Sequence, residues 1–164
     1  MDIYLGARCV FCVSNGTGWD SIVDIVRKPM VFVNMVPIGY LRAFRLNQIS
    51  IFKHHFASES GLPLSLRQIF ARGAGYGLQS GDYITNGVSL TENSPEEIAS
   101  VAFEMHLRLT GEWVEAEGAK ALQRQFWEAF PATGKDKYSS LPLHGEVRGY
   151  IGTDYLHRHR HLVA

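Results

Sequence analysis

The stretch GARCVFCVSNGTGWDSIVDIVRKPMVFVN, residues 6–34, decides the fold class, because it carries the signals of strand, turn, helix and strand in unbroken order. Residues 9–13 form an apolar run rich in β-forming side chains, which is typical of a strand buried on both faces. A helical pattern begins at Trp19 and ends before Pro29, and residues 30–33 (MVFV) predict a second buried strand. This order predicts an α/β domain with parallel strands.

The turn between the first strand and the helix, SNGTG, is the best candidate for a ligand site. Its members are Ser14, Asn15, Gly16, Thr17 and Gly18. A small-residue turn that opens a helix after a parallel strand presents backbone N–H groups and a positive dipole end, which suits a phosphate. The spacing differs from the dinucleotide fingerprint, and no P-loop lysine follows the turn. Taken alone, a small-residue turn of this kind is more often a tight structural connection than a ligand site.

The rest of the chain predicts a third short strand and several helices. The strand is expected at residues 49–52 (ISIF), and a flexible connector at the glycine-rich residues 72–77. Ser94, followed by Pro95 and then Glu97, is the capping-box pattern of a helix that ends near Gly111. Further helices are expected at residues 64–71, 116–130 and 143–156.

Polar residues follow two of the predicted strands, at the sheet edge where open α/β sheets place their ligand crevice. Asn34 is either a site residue or a strand-end cap. Lys53, His54 and His55 follow the third strand, and we expect the two histidines to form a partly exposed loop pair. Neighbours on a strand point to opposite faces, so they do not easily chelate one ion together. His54 or Lys53 is a candidate phosphate contact.

Two motifs that resemble metal or redox sites are better explained without a ligand. Cys9 and Cys12 have C-x-x-C spacing, but on a strand they face opposite sides, and there is no second cysteine pair to complete a structural zinc site. Buried, reduced cysteines are expected, in keeping with a reducing compartment. The HRHRH sequence at residues 157–161 alternates like a ligand set, yet its arginines would repel a cation, and we expect a solvated tail.

Composition gives broad limits on function. The 164 residues are 46% hydrophobic and 20% charged, an ordinary globular composition with enough chain for one core. Because 16 basic residues balance 16 acidic ones, the charge gives no argument for nucleic acid as a partner. No apolar run approaches the ~20 residues of a membrane span, and the start lacks the basic region of a secretory signal. A cytoplasmic location is expected.

Residues 4–37, YLGARCVFCVSNGTGWDSIVDIVRKPMVFVNMVP, resemble the donor-binding half of the C-terminal domain of two-domain (GT-B) glycosyltransferases, and more closely a bacterial family of such enzymes. Residues 89–109, SLTENSPEEIASVAFEMHLRL, resemble the ENSPEEI helix of that family. Residues 121–131, ALQRQFWEAFP, and 143–156, LHGEVRGYIGTDYL, resemble its C-terminal helices. The resemblance covers most of the chain, and its motifs are not catalytic signatures.

The resemblance implies a partial Rossmann-like fold, with a short parallel sheet flanked by helices and a helical C-terminal region. By position, Ser14 and the rest of the SNGTG turn would face the donor phosphates, and Asp20 would contact the ribose. Asn34 and His54 are candidate sugar or acceptor contacts. Relatives often carry Ser-Ser-Gly or Thr-Ser-Gly where this chain has Ser14-Asn15-Gly16.

The domain organisation expected from these patterns is a partial nucleotide-sugar-binding domain at residues 1–110 and a helical extension at 111–164 that packs on it. A doubly wound domain usually has a strand and a helix before its ligand-binding turn, whereas here the turn begins at Ser14. We therefore expect the C-terminal portion of a larger enzyme. An open sheet edge would favour self-association.

The function implied is transfer of a sugar from a nucleotide-diphosphate donor to an acceptor glycan or related molecule. The departing diphosphate would be stabilised by N–H groups and hydroxyls, with no metal or other cofactor, since no Asp-x-Asp motif is present. No general base is evident, and this part alone is expected to bind without turnover. The alternatives are a nucleotide-sugar epimerase-like enzyme and a non-catalytic interaction module.

Overall fold

A computed structural model describes residues 2–41, 43–130 and 146–164 of the chain. The strands are β1 (Cys12–Ser14), β2 (Met30–Met35), β3 (Gln48–Phe52), β4 (His54–Ala57), β5 (Val88–Thr91) and β6 (Tyr150–Ile151). The helices are α1 (Asp2–Arg8), α2 (Asp20–Ile25), α3 (Leu66–Ala71), α4 (Ser80–Thr85), α5 (Pro95–Thr110), α6 (Ala119–Ala129) and α7 (Thr153–Arg158). Short 3₁₀ turns occupy Ile38–Tyr40, Ala74–Tyr76 and Arg160–Val163.

The main sheet has four parallel strands in the order β1-β2-β3-β6. With its flanking helices and helical C-terminal region it confirms the predicted α/β fold, which is consistent with a partial Rossmann-like domain. The first strand is shorter than expected, because α1 precedes it and the Cys9 N–H donates to the Leu5 carbonyl (2.9 Å) instead of to a strand. Val13 of β1 is 42% exposed while its neighbour Cys12 is buried, so only one face of this strand is covered and the expectation of burial on both faces was wrong.

Side chains alternate along β2, so the sheet is covered on both faces. Met30 and Phe32 pack with Val23 of α2 in a small cluster. Val31 and Val33 belong to the larger core on the opposite face, which includes residues of α3, α5, α6 and α7. Nearly continuous apolar sequence in a strand is the consequence of this two-sided burial.

A second, antiparallel sheet is formed by β4 and β5, and it leads directly into α5. The capping box expected at Ser94 is confirmed: its side chain accepts from the Glu97 N–H, and Glu97 accepts from the Ser94 N–H (2.8 Å). Gly111 ends α5 with a left-handed backbone. The region expected to be a flexible connector is instead a packed 3₁₀ turn, in which Ala74 is fully buried.

The C-terminal region differs most from expectation. Residues 150–151 form β6 beside β3, and the helix predicted over 143–156 is replaced by this strand followed by α7; residues 143–145 lie outside the described part. Gln123 of α6 covers the outer side of β6, accepting from the Ile151 N–H (3.1 Å) and donating to its carbonyl (2.5 Å). This side-chain amide satisfies the edge strand as a neighbouring backbone would.

A buried carboxylate of α5 also anchors the C-terminal region. Glu104 is 3% exposed and accepts from both the N–H (2.8 Å) and the hydroxyl (2.9 Å) of Thr153, at the start of α7. Arg108 donates to the same carboxylate and lies between the rings of Trp113 and Tyr150. The 146–164 segment is therefore locked to α5 by charge-assisted hydrogen bonds.

Among the described residues, none of the helices combines the length and apolar character that a bilayer crossing requires.

Candidate functional site

The predicted site residues lie along one edge of the main sheet. Because the strands are parallel, their carboxyl ends share an edge, and the elbow (residues 14–18), Asn34 and His54 end or follow β1, β2 and β3 respectively. The elbow approaches the end of β2, where a Cβ built on Gly16 would lie 3.6 Å from the Met35 sulphur. This is the edge at which open α/β sheets bind ligands.

The elbow is an exposed turn held by two local hydrogen bonds. The Gly16 N–H donates to the Ser14 hydroxyl (3.1 Å), and the Gly18 N–H donates to Asp20 (2.8 Å). Gly16 and Gly18 have φ of +80° and +95°, values that only glycine adopts without strain. The backbone N–H groups of Asn15 and Thr17 make no hydrogen bond with any described residue, so the turn offers exposed donors.

Asp20 is buried, with 5% of its surface exposed, and one carboxylate oxygen supports the elbow through Gly18. It opens α2, which has only six residues. The ribose contact assigned to Asp20 stays a prediction, and the observed role of this carboxylate is to shape the turn. Asp24, one turn further along, forms an ion pair with Arg45.

Asn34 joins the ends of β2 and β3 through Asn93. The Asn34 N–H donates to the side-chain oxygen of Asn93 (2.7 Å), and the Asn93 N–H donates to that of Asn34 (2.6 Å). Asn93 also donates to the Phe52 carbonyl (2.6 Å) at the end of β3. Asn34 adopts φ +53°, a left-handed conformation that asparagine tolerates. Asn34 thus links the ends of β2 and β3, through Asn93, at the sheet edge that carries the candidate site.

His54 lies in a cluster that the sequence did not reveal. Its Nε2 is 2.9 Å from Oε2 of Glu97, and Nε2 of His159 is 2.5 Å from Oε1 of the same carboxylate. We call His54, Glu97 and His159 the imidazole–carboxylate cluster. The tail expected to be solvated at 157–161 therefore packs back onto the first turn of α5, and His159 is only 22% exposed.

The Glu97 carboxylate is buried and has hydrogen-bond partners in the Ser94 N–H, His54 and His159. Glu97 is 7% exposed. Burial alone would raise the pKa of Glu97, but hydrogen bonds from the Ser94 backbone and from both imidazoles lower the pKa overall. Glu97 is therefore an anion at neutral pH, buried among groups that can donate to it or share a cation with it.

A cavity of about 280 Å³ opens beside this cluster and is lined by His54, Phe56, Pro63, His159 and His161. Tyr155 packs against both imidazoles, with ring centroids 5.8 Å from His54 and 4.7 Å from His159. Its hydroxyl donates to the Phe52 carbonyl (3.1 Å). The two imidazole rings are thus held by packing as well as by hydrogen bonds.

His55 is not in a loop, and the expectation of a partly exposed pair was wrong. Both histidines lie on β4, where they point to opposite faces as their adjacency predicts. His55 is 3% exposed and its Nδ1 lies 2.8 Å from the Lys53 carbonyl. Lys53 forms an ion pair with Glu92 (3.1 Å).

Sequence reasoning missed Asn93, Glu97 and His159 as parts of this edge. Glu97 was interpreted only as a helix cap, although Glu97, Val101 and Glu104 lie on one helical face, and all three are buried. Two glutamates within an apolar stripe were the available signal. No local sequence signal identified His159, because its contact with Glu97 depends on the fold of the whole chain.

A larger crevice of about 570 Å³ lies at the opposite edge, beside the residues that precede β2 and β3. It is lined by the basic side chains of Arg27, Lys28, Arg45 and Arg148, together with Asp24. None of the predicted site residues lines this crevice.

No protein-family model matches this chain, and neither curated proteins nor solved structures gave a match.

Proposed function

We propose that this chain is the nucleotide-sugar-binding part of a glycosyltransferase. The observation that carries the proposal is the exposed elbow at the carboxyl edge of a parallel sheet, shaped by Gly16 and Gly18 in left-handed conformations. Such turns let a phosphate approach the backbone without meeting a side chain. The resemblance of residues 4–37 to the donor-binding half of GT-B enzymes supports the same assignment.

The proposed ligand contacts are local to the elbow. The N–H groups of Asn15 and Thr17 and the hydroxyls of Ser14 and Thr17 would donate to the donor diphosphate. Since α2 has only six residues, its dipole adds little, and individual hydrogen bonds supply most of the attraction. In the transfer reaction the same donors would stabilise the charge that develops on the departing diphosphate.

The acceptor side of the reaction is proposed at the neighbouring strand ends. Asn34 and His54 lie along the same edge, and His54 borders the cavity beside the imidazole–carboxylate cluster. A cytoplasmic location belongs to the same proposal, and Cys9 and Cys12 are free, as a reducing compartment would keep them.

The test is a thermal-shift and calorimetric titration with UDP, GDP, CDP and their common sugars, with and without Mg²⁺. Binding to the native state adds RT ln(1 + [L]/Kd) to stability, so a ligand at about 100 times Kd adds roughly 2.7 kcal/mol. We expect one base to give a selective shift that Thr17→Val abolishes.

The matched control is Thr85→Val, which removes an exposed hydroxyl from α4 and should leave the shift unchanged. Asp20→Ala, which removes the support of Gly18, should also weaken binding. A folded chain that responds to none of the nucleotides would refute the donor site and leave the interaction-module alternative.

A further inference from the structure

Three potential metal ligands from three separate elements converge on one point. His54 begins β4, Glu97 lies in the first turn of α5, and His159 follows α7. Their ligand atoms all lie within 4.8 Å of one another. We propose that the imidazole–carboxylate cluster binds one divalent transition-metal ion, with Zn²⁺ as the best match. This differs from the expectation of no metal, and it does not rest on the proposed nucleotide site.

The distances are close to those of a metal site. Zn–N and Zn–O bonds of about 2.0–2.2 Å place tetrahedral ligand atoms about 3.3–3.6 Å apart. The observed separations from the carboxylate oxygens are 2.9 Å to His54 and 2.5 Å to His159. An ion entering between them therefore requires these two imidazole–carboxylate contacts to widen by about 1 Å or less, which small side-chain rotations provide. Both imidazoles already direct the same atom, Nε2, toward the carboxylate.

The ligands are held in place by other groups. The Ser94 N–H donates to Glu97 (2.8 Å), which fixes the carboxylate at the start of α5. Tyr155 packs against both imidazole rings and is itself fixed by its bond to the Phe52 carbonyl. Support of this kind raises metal affinity, because little ordering remains to be done on binding.

Charge and space favour an ion with an open coordination position. Among the three ligands the carboxylate supplies one negative charge, which a divalent cation more than balances. The adjoining cavity of about 280 Å³ leaves room for water or a substrate oxygen as a further ligand, and His161 lies on its wall. Three protein ligands with one open position are typical of catalytic zinc, and two histidines with one carboxylate also suit Fe²⁺.

The experiment uses the full chain after treatment with a chelator and removal of that chelator. Zn²⁺ is titrated by calorimetry, and Co²⁺ is titrated by its visible absorption. We expect one equivalent to bind to the wild type, and His159→Ala and Glu97→Gln to weaken binding at least about tenfold. Because glutamine also serves as the N3 residue of a capping box, the loss of affinity in Glu97→Gln is not a loss of the helix cap.

The matched control is His106→Ala, which removes an exposed histidine from the same helix and should leave binding unchanged. Histidine modification of the wild type gives a test that needs no variant. Zn²⁺ should protect His54 and His159 from diethylpyrocarbonate while His106 stays reactive. Absence of saturable binding, affinity unchanged in both ligand variants, unchanged reactivity of His54 and His159, or a sulphur-to-cobalt absorption band from the cysteines would each overturn the proposal.

Discussion

His55 should make the stability of this chain depend on pH in a predictable way. Its Nδ1 faces the Lys53 carbonyl, which can only accept, so Nδ1 carries the proton and Nε2 is a bare acceptor. That Nε2 is buried and has no hydrogen-bond partner among the described residues. A second proton would therefore place a positive charge in the interior without a partner.

The magnitude follows from the shift in pKa. The pKa of His55 is lowered from 6.5 to about 4; burial is the main cause, the hydrogen bond to the Lys53 carbonyl opposes it, and the neighbouring His54 adds a smaller lowering. Between these two pH values the unfolded chain holds a proton that the native chain does not, so the free energy of unfolding falls as pH falls. A shift of this size corresponds to about 3 kcal/mol, lost between pH 6.5 and pH 4.

The assay is urea unfolding at several pH values for the wild type and for His55→Phe, which keeps an aromatic ring but cannot titrate. We expect the wild type to lose about 3 kcal/mol more than the variant on acidification. Since the variant differs from the wild type only at this residue, the difference between the two slopes reports His55 and its interaction with His54. His106→Gln, an exposed change, should retain the wild-type pH dependence. Equal slopes for wild type and His55→Phe would refute the reasoning.

Four further substitutions test the packing and the backbone conformation by the same urea measurement. Phe126→Ala removes a fully buried ring, and we expect a loss of about 3–5 kcal/mol, whereas a loss below about 1 kcal/mol would contradict the core assignment. Glu104→Ala leaves the buried Thr153 donors unpaired and should cost about 3 kcal/mol. Gly18→Ala should destabilise by about 1–2 kcal/mol, whereas Gly81→Ala should stabilise by about 0.5 kcal/mol. A Cβ would meet open space at both glycines, but only Gly18 has a positive φ, of +95°. If the two substitutions changed the free energy of unfolding by similar amounts, the backbone geometry of the elbow would be contradicted.

Local sequence signals were sufficient for the first half of the sheet. The elbow lies between β1 and α2 as expected, because turn-forming residues separate a β-rich run from a helical pattern. β2 and β3 are rich in apolar residues and buried on both faces over most of their length, and the predicted residues 30–33 and 49–52 lie within the observed strands. The capping box at Ser94 identified the start of α5 because its hydrogen bonds are local.

The C-terminal strand could not be predicted in the same way. β6 contains only Tyr150 and Ile151, too few residues for an alternating pattern, and it lies between Gly149 and Gly152. It is a strand because β3 and the amide of Gln123 satisfy its backbone, and both partners are distant in sequence. Tertiary hydrogen bonds decided the structure where local propensity was weak.

The candidate site was predictable only in part. The elbow and Asn34 follow strands whose parallel arrangement brings them to one edge, so their proximity follows from the topology. The imidazole–carboxylate cluster depends on the return of His159 to the first turn of α5. The HRHRH sequence itself does not specify this position for His159. Buried neighbours such as Leu162, which belongs to the main core, hold the segment in place.

The pairing of Ile49 with Tyr150 has a consequence for biosynthesis. At roughly 5–20 residues per second, the ribosome synthesises β6 about 5–20 s after β3. During that interval β3 presents an uncovered hydrogen-bonding edge, and Glu97 and Glu104 lack their C-terminal partners. A message truncated before codon 150 would therefore yield a chain prone to aggregate on the ribosome and to be degraded.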